Sequence, residues 1–258
     1  MLLAIDIGNT NIHFGMYLLE AKDWCCSWRA HTVHEKMSDE YAVLLRNFFE
    51  EHELTFDDVK AVVMASVVPA LTPTFAEMSS RYLKQEALNV TALNVPGIKV
   101  LLDNPQEAGA DRVVNAVAVR ELYGTPAVVI DFGTATTWDV IDAEGNFLGG
   151  IIAPGIGLAH DALVTRAARL VKVDLLPPPH VIGRNTVHAM QSGLFLGYVA
   201  MIEGLVARIK AEMNLPGTKV IATGGLAPLF MEHTPIIEHV ALTLTLEGLR
   251  IIWELNQS

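Results

Sequence analysis

The sequence predicts an α/β fold made of two related halves, and three observations carry that reading. The first is a repeated element. Leu2-Leu3-Ala4-Ile5 runs into Asp6-Ile7-Gly8-Asn9-Thr10, and Ala127-Val128-Val129-Ile130 runs into Asp131-Phe132-Gly133-Thr134-Ala135. Each copy is a short apolar strand that delivers a carboxylate into a glycine turn and then resumes as a strand. The second is Val220-Ile221-Ala222-Thr223, a buried-type strand entering Gly224-Gly225 and then a helix. The third is size: 258 residues, 51% of them hydrophobic, supply the core of one large or two smaller domains. A single Asp-x-Gly is a common turn signal; its duplication in the same setting points to two related lobes.

Taken in order, the first half opens with strands near residues 2–7, 12–19 and 24–31. Ser38 is placed to cap a helix, with Asp39 and Glu40 in its first turn and Tyr41, Leu44, Leu45, Phe48 and Phe49 at helical spacing. A buried strand at 61–65 ends in Ser66-Val67-Val68-Pro69, followed by a helix near 73–84 and a short strand at 92–95. A helix begins near Asp111 and continues through Val114, Ala118 and Leu122; the joint between halves is expected inside it, giving domains 1–115 and 116–258. The second half repeats the three strands at 127–131, 136–142 and 147–152, with Asp142-Ala143-Glu144-Gly145 as a hairpin turn. Helices come next at 159–170 and 186–213, separated by Pro177-Pro178-Pro179, and a last helix near 247–255 could pack back on the first half. Three strands, then helix, strand, helix and strand is the order of a ribonuclease-H-like lobe.

The chemistry of the repeated turn is set by its residues. Glycine lets the backbone approach a phosphate, and a carboxylate at a strand end can hold a metal ion or polarised water. Asn9, Thr10, Thr134, Thr136 and Thr137 add amide and hydroxyl donors for phosphate oxygens. Two such loops facing each other would clamp a nucleotide's phosphates, and the Gly224-Gly225 turn could lie flat against an adenosine.

Five motifs in order, Asp6-Ile7-Gly8-Asn9-Thr10-Asn11, Gly109-Ala110-Asp111-Arg112, Asp131-Phe132-Gly133-Thr134-Ala135-Thr136, Gly149-Gly150-Ile151-Ile152-Ala153-Pro154-Gly155 and Thr223-Gly224-Gly225-Leu226-Ala227, resemble those of type III pantothenate kinases. Ser66-Val67-Val68-Pro69, Gly183-Arg184-Asn185-Thr186 and Leu244-Thr245-Leu246-Glu247-Gly248-Leu249 fit the same family, so the resemblance spans nearly the whole chain. That family belongs to the acetate kinase, sugar kinase, Hsp70 and actin superfamily. The resemblance therefore implies two duplicated ribonuclease-H-like (actin-like ATPase) domains with a nucleotide cleft between them.

It also implies the reaction. ATP would give its γ-phosphoryl to the primary hydroxyl of pantothenate, making 4′-phosphopantothenate, the first step towards coenzyme A. ATP would sit on Asp6, Ile7, Gly8, Asn9, Thr10, Asn11, Ile12 and His13, with Asp6 acting on Mg²⁺ through water and Thr134 reaching the phosphates from the second loop. Asp131 would hold a monovalent cation, K⁺ or NH4⁺. Asp111 would be the catalytic base, kept ionised at a helix start beside Arg112. Gly109, Ala110, Arg112 and Thr186 would bind pantothenate, as would position 102, where the family often carries Tyr and this chain has Leu102. Members of the family are homodimers whose substrate pocket the neighbouring chain completes. Apolar residues from Val187 to Ile209 also extend wider than the ~100° stripe of a one-sided helix.

Several classes are disfavoured. The net charge is −11 with no Lys/Arg-rich run, which argues against direct nucleic-acid binding. The adjacent pair Cys25-Cys26 is poorly placed for a bridge and does not match a zinc-site spacing with His31 and His34. No signal segment opens the chain, and the apolar stretch at 61–71 is far below the ~20 residues that span a bilayer; a cytoplasmic enzyme without a membrane partner is expected. No P-loop lysine motif is present, His34-Glu35 lacks the second histidine of a zinc-protease helix, and Gly155-Ile156-Gly157 reaches His160 rather than a third glycine. The competing readings are another small-molecule kinase of the same superfamily and a catalytically silent regulatory homologue.

Overall fold

The computed structural model describes residues 1–257. They divide into two units: Met1–Tyr123 together with the chain from Thr243 onward, and Gly124–Leu242.

The first unit is built on a five-stranded sheet. β1 (Leu2–Ile7), β2 (Asn11–Leu18) and β3 (Asp23–His31) form an antiparallel meander, and β4 (Ala61–Ser66) and β5 (Ala87–Val90) extend it in parallel beyond β1, in the order β3-β2-β1-β4-β5. Leu3, Ile5 and Ile7 alternate onto one face with Ile12, Phe14, Val62 and Met64, where α1 (Ser38–Glu50) and α2 (Thr72–Met78) cover them with Tyr41, Leu45, Phe49, Phe75 and Met78. The opposite face meets α3 (Ala110–Leu122) and the C-terminal helix (Leu244–Leu255). With both faces covered, β1 has no solvent side to mark with polar residues, so it reads as a continuous apolar run until Asp6.

The second unit repeats the plan. β6 (Ala127–Phe132), β7 (Ala135–Ile141) and β8 (Phe147–Pro154) form the meander, and β9 (Lys219–Thr223) and the two-residue β10 (His239–Val240) add in parallel, in the order β10-β9-β6-β7-β8. Read from β8, this is the topology of the first sheet. α4 (Ile156–Arg166) comes directly after β8. A longer helical run comprises α5 (Thr186–Gln191), a π-turn at Ser192–Leu196 and α6 (Gly197–Met213); α7 (Ala227–Met231) comes after β9. The fold is α/β, of two similar domains.

The structure corrects several boundaries. The strand expected at 92–95 is instead β5 at 87–90. Residues beyond it turn because Asn94 Oδ1 accepts the Thr91 N–H at 2.7 Å and Asn94 Nδ2 donates to Asn89 O at 2.8 Å, a local side-chain alternative to the sheet ladder. Met37, not Ser38, caps α1: its N–H is taken by the Glu40 carboxylate at 3.0 Å, while Ser38 lies buried inside the helix. Helix α4 starts at Ile156, earlier than expected, and α3 lies wholly within the first unit. Besides 61–71, which is too short, the chain holds a run not weighed from the sequence: among the described residues, Thr186–Glu212 is long and apolar enough to cross a membrane by length and composition. Its Tyr198, Ile202, Val206 and Ile209 instead form a helical stripe in the core of the second unit.

Candidate active site

The first turn hangs from the end of β1. Asp6 pairs in register with His13 on β2 and with Ala65 on β4, and Gly8 N–H closes the loop on Asn11 O at 3.0 Å. A Cβ at Gly8 would lie 2.9 Å from that oxygen, so the tight turn requires glycine. Thr32 braces it from outside: its hydroxyl donates to Gly8 O at 2.6 Å and its N–H to Thr10 O at 2.9 Å. Asn9, Thr10 and Asn11 are exposed and Asp6 is half-buried. Ile7 and Ile12, by contrast, are core side chains with 0% exposure, so they can offer a ligand only backbone atoms. His13 is paired with Asp6 on one side and Arg29 on the other. Burial and then Arg29 push its pKa down to about 4, leaving it neutral at physiological pH.

The second turn is one residue shorter: β6 ends at Phe132, β7 starts at Ala135, and Gly133 N–H bonds to Ala135 O at 3.0 Å. Two glycines close on it. Gly155 donates its N–H to Thr134 O at 3.0 Å, and a Cβ there would sit 2.5 Å from both Gly133 O and Thr134 O. Gly224 has φ +87°, and a Cβ on it would meet Phe132 O at 2.6 Å and Asp131 Oδ1 at 2.7 Å. Asp131, Thr134 and the Gly224-Gly225 turn are thus gathered at one end of this sheet, at the C-terminal edge of the parallel pair β6 and β9.

The helix-start motif belongs to the first unit. Gly109 caps α3, so Asp111 and Arg112 occupy its first turn and both are half-buried. The Arg112 N–H donates to Asp111 Oδ1 at 2.8 Å. Burial is the larger influence on Asp111 and pushes its carboxyl above the usual range, against the lowering effects of the Arg112 amide and guanidinium. Desolvation, which penalises the charged form, thus outweighs the helix start and Arg112, the two influences expected to keep this group ionised. Gly109 and Ala110 line an open cleft of about 630 Å³ with Ser66, Val67, Asn89 and Thr91. The Val67 N–H reaches back to Ile7 O at 3.0 Å, so this cleft adjoins the first turn. Leu102 is half-buried and lies outside that lining.

Thr186 is exposed at the first position of α5, in the second unit. Asn185 caps the helix by accepting the His188 N–H at 2.8 Å, and Gly183 packs so closely on it that a Cβ would lie 2.2 Å from Ala189 N. The motif Gly183-Arg184-Asn185-Thr186 is thus an approach, a cap and a presented hydroxyl. Among the described residues no group of three or more His, Cys, Asp or Glu side chains could hold a metal ion. Single carboxylates with neutral oxygen and amide donors suit Mg²⁺, which dehydrates reluctantly and takes most of its ligands from water and phosphate. Sequence reasoning missed Tyr198: its hydroxyl bonds to Thr136 Oγ1 and donates to Pro154 O at 3.3 Å, at the base of the second turn. Nothing in its apolar helix pattern distinguishes it from a core aromatic.

The family model for type III pantothenate kinase matches residues 2–208. A protein of that name from Moorella thermoacetica is 47% identical over 256 residues, covering 99% of this chain and 100% of its own length. Another from Anaeromyxobacter sp. strain K is 49% identical over 257 residues, covering 100% of both. Among solved structures, a Campylobacter jejuni protein named for the Baf family of transcriptional activators is 19% identical with a TM-score of 0.65, covering 99% of this chain and 98% of its own. The activator of 2-hydroxyisocaproyl-CoA dehydratase from Clostridium difficile, with bound ADPNP, is 16% identical with a TM-score of 0.54, covering 99% and 95%. Those two likenesses establish fold alone. From the family model and the full-length relatives, this chain belongs to the type III pantothenate kinase family.

Proposed function

We propose that the protein transfers the γ-phosphoryl of ATP to the primary hydroxyl of pantothenate, giving 4′-phosphopantothenate and ADP for coenzyme A synthesis. The observation that carries this is identity of 47% with a type III pantothenate kinase across the full length of both chains. In the transfer, the hydroxyl oxygen forms the new P–O bond, the bond from the γ-phosphorus to the β,γ-bridging oxygen breaks, and the hydroxyl proton passes to the Asp111 carboxylate. Phosphoryl transfer asks mainly for placement and for neutralisation of spread charge. Asp6, Gly8, Asn9, Thr10 and Asn11 hold the phosphates of ATP, the backbone of Ile7 and Ile12 and the neutral imidazole of His13 flank them, and Thr134 adds a hydroxyl. Asp6 would hold Mg²⁺ through water, and the ion would supply positive charge against the phosphates.

Asp111 accepts the proton, and the upward push that burial gives its carboxyl raises its proton affinity, which suits a base. Gly109, Ala110, Arg112, Leu102 and Thr186 bind pantothenate, Leu102 giving an apolar contact. Asp131 binds K⁺ or NH4⁺, for which a carboxylate beside backbone oxygens is suitable chemistry, and Asp131→Ala should abolish activation by potassium. We read the enzyme as a cytoplasmic homodimer. Support comes from exposed Ile152, Val181, Ile182 and Val187 on the second unit. The breadth of the apolar helix counts for less, since Val199, Met201 and Leu205 pack on that unit's own core. Mass spectrometry tests the assignment: incubation with ATP and Mg²⁺ should convert pantothenate to a product heavier by one phosphate. Efficient turnover of a hexose or acetate, with none on pantothenate, would overturn it.

A further inference from the structure

We propose that Tyr198 is a positioning residue for the second phosphate-type loop: its hydroxyl fixes the corner Pro154-Gly155-Ile156 against which Gly133 and Thr134 rest. The inference rests on the reading of that loop as an ATP-binding element. Tyr198 sits on α6, just beyond the π-turn at Ser192–Leu196. A π-turn adds a residue to the helical path and re-aims the side chains beyond it. The phenol oxygen joins two strand ends: it bonds Thr136 Oγ1 at the start of β7 and donates to Pro154 O at 3.3 Å at the end of β8. A phenol has one proton. With that proton on the Pro154 carbonyl, Thr136 must be the donor to Tyr198.

The surroundings make this network consequential. Thr136 is 1% exposed and Tyr198 7%, so water cannot replace a lost partner. Next to the anchored Pro154 lies Gly155, whose N–H is bonded to Thr134 O at 3.0 Å and whose approach leaves no room for a Cβ against Gly133 O and Thr134 O. A shift of the corner therefore passes to the loop without slack. The ring itself is held separately, stacked on Phe230 with centroids 5.2 Å apart, and Phe230 stacks in turn on Phe132 of the loop at 4.8 Å. Removing the hydroxyl alone should leave the aromatic stack and the fold in place.

The test uses the full-length enzyme and four variants, Tyr198→Phe, Thr136→Val, the double mutant and Thr136→Ser, with KM for ATP, KM for pantothenate, kcat and Tm measured on each. Tyr198→Phe and Thr136→Val should each raise the ATP KM by roughly 3- to 10-fold, the equilibrium shift of one hydrogen bond, leaving the pantothenate KM in place. The double mutant should be no worse than the poorer single mutant, because both remove the same link, and Thr136→Ser should restore wild-type values. A drop in Tm with no change in the ATP KM means a merely structural hydroxyl and overturns the proposal. Thr134→Ala separates the two levels of the argument. If it raises the ATP KM while Tyr198→Phe does not, only the role of Tyr198 falls; if it leaves ATP binding unchanged, the reading of the loop falls and this inference with it.

Discussion

Gly155→Ala isolates the contact between the second turn and the start of α4. Gly155 has φ −61° and ψ 153°, a conformation alanine adopts without strain, so the substitution carries no backbone penalty of its own. The cost is steric. The new Cβ would stand 2.5 Å from Gly133 O and Thr134 O and 3.0 Å from Thr134 C. All three are backbone atoms, so no side-chain rotation relieves the clash. To reach an ordinary 3.4 Å contact the carbonyls must retreat by roughly 0.9 Å, and the 3.0 Å bond from the Gly155 N–H to Thr134 O stretches with them. Overpacking of this kind costs about 1–3 kcal/mol, which lowers Tm by about 2–4 °C per kcal/mol in a chain of this length. A displacement near 1 Å in a substrate-positioning loop also costs on the order of 10² in rate. Differential scanning fluorimetry and steady-state kinetics with ATP as the varied substrate read both effects. A variant with wild-type Tm and an unchanged ATP KM would refute the claim that this approach sets the loop.

Asp111→Asn should cut turnover by about 10²–10⁴, the range for a lost acid or base, with ATP binding retained; near-normal turnover would remove Asp111 from the role of base. Burial holds the Asp111 pKa above its unfolded value, so between those two values the native state keeps a proton that the unfolded state has released. Stability from this group is complete below the unfolded value of about 3.9 and is lost as pH rises through the folded one. At neutral pH the Asn variant should therefore melt no lower than wild type, and wild-type kcat/KM should fall on the acid side at a pH above the ordinary carboxylate range. His160→Ala removes the buried acceptor of the Val173 N–H, a 3.2 Å contact that pins the irregular segment after α4. Tryptic cleavage at Arg169 or Lys172 should then quicken by about 10-fold, as expected when local opening becomes easier, and an unchanged digestion pattern would refute the pin. Sedimentation at micromolar concentration should give twice the 28.1 kDa chain mass; a fully active single species at the chain mass would refute the dimer.

The strands were legible because their signals are local and redundant. β1 and β6 are apolar runs ended by an aspartate and a glycine, and the pairing Asp6–His13 and Asp131–Thr137 is dictated by the turn between them. β5 was misplaced because its four residues, Ala87–Val90, lie beside a polar turn whose Asn94 side chain forms the bonds that end it. The repeated turns, Gly109–Arg112 and Gly183–Thr186 were visible as motifs, and the glycines among them prove to be sites of close backbone approach. The environment of those residues was not visible. That Ile7 and Ile12 point into the core, that burial outweighs Arg112 at Asp111, and that His13 is pushed down to about 4 all depend on which helices cover each face of the sheet. Tyr198 was invisible for a related reason: the π-turn before it breaks the 3.6-residue period, and its two polar partners are far away in sequence.

ADP release by the purified protein, monitored with ATP and Mg²⁺ in the presence and absence of pantothenate and again with potassium replaced by sodium, tests the central claim most directly. The account predicts release that depends on pantothenate, matches the phosphorylated product mole for mole, and rises with potassium. ADP release indifferent to pantothenate, or none under any of these conditions from folded protein, would contradict it.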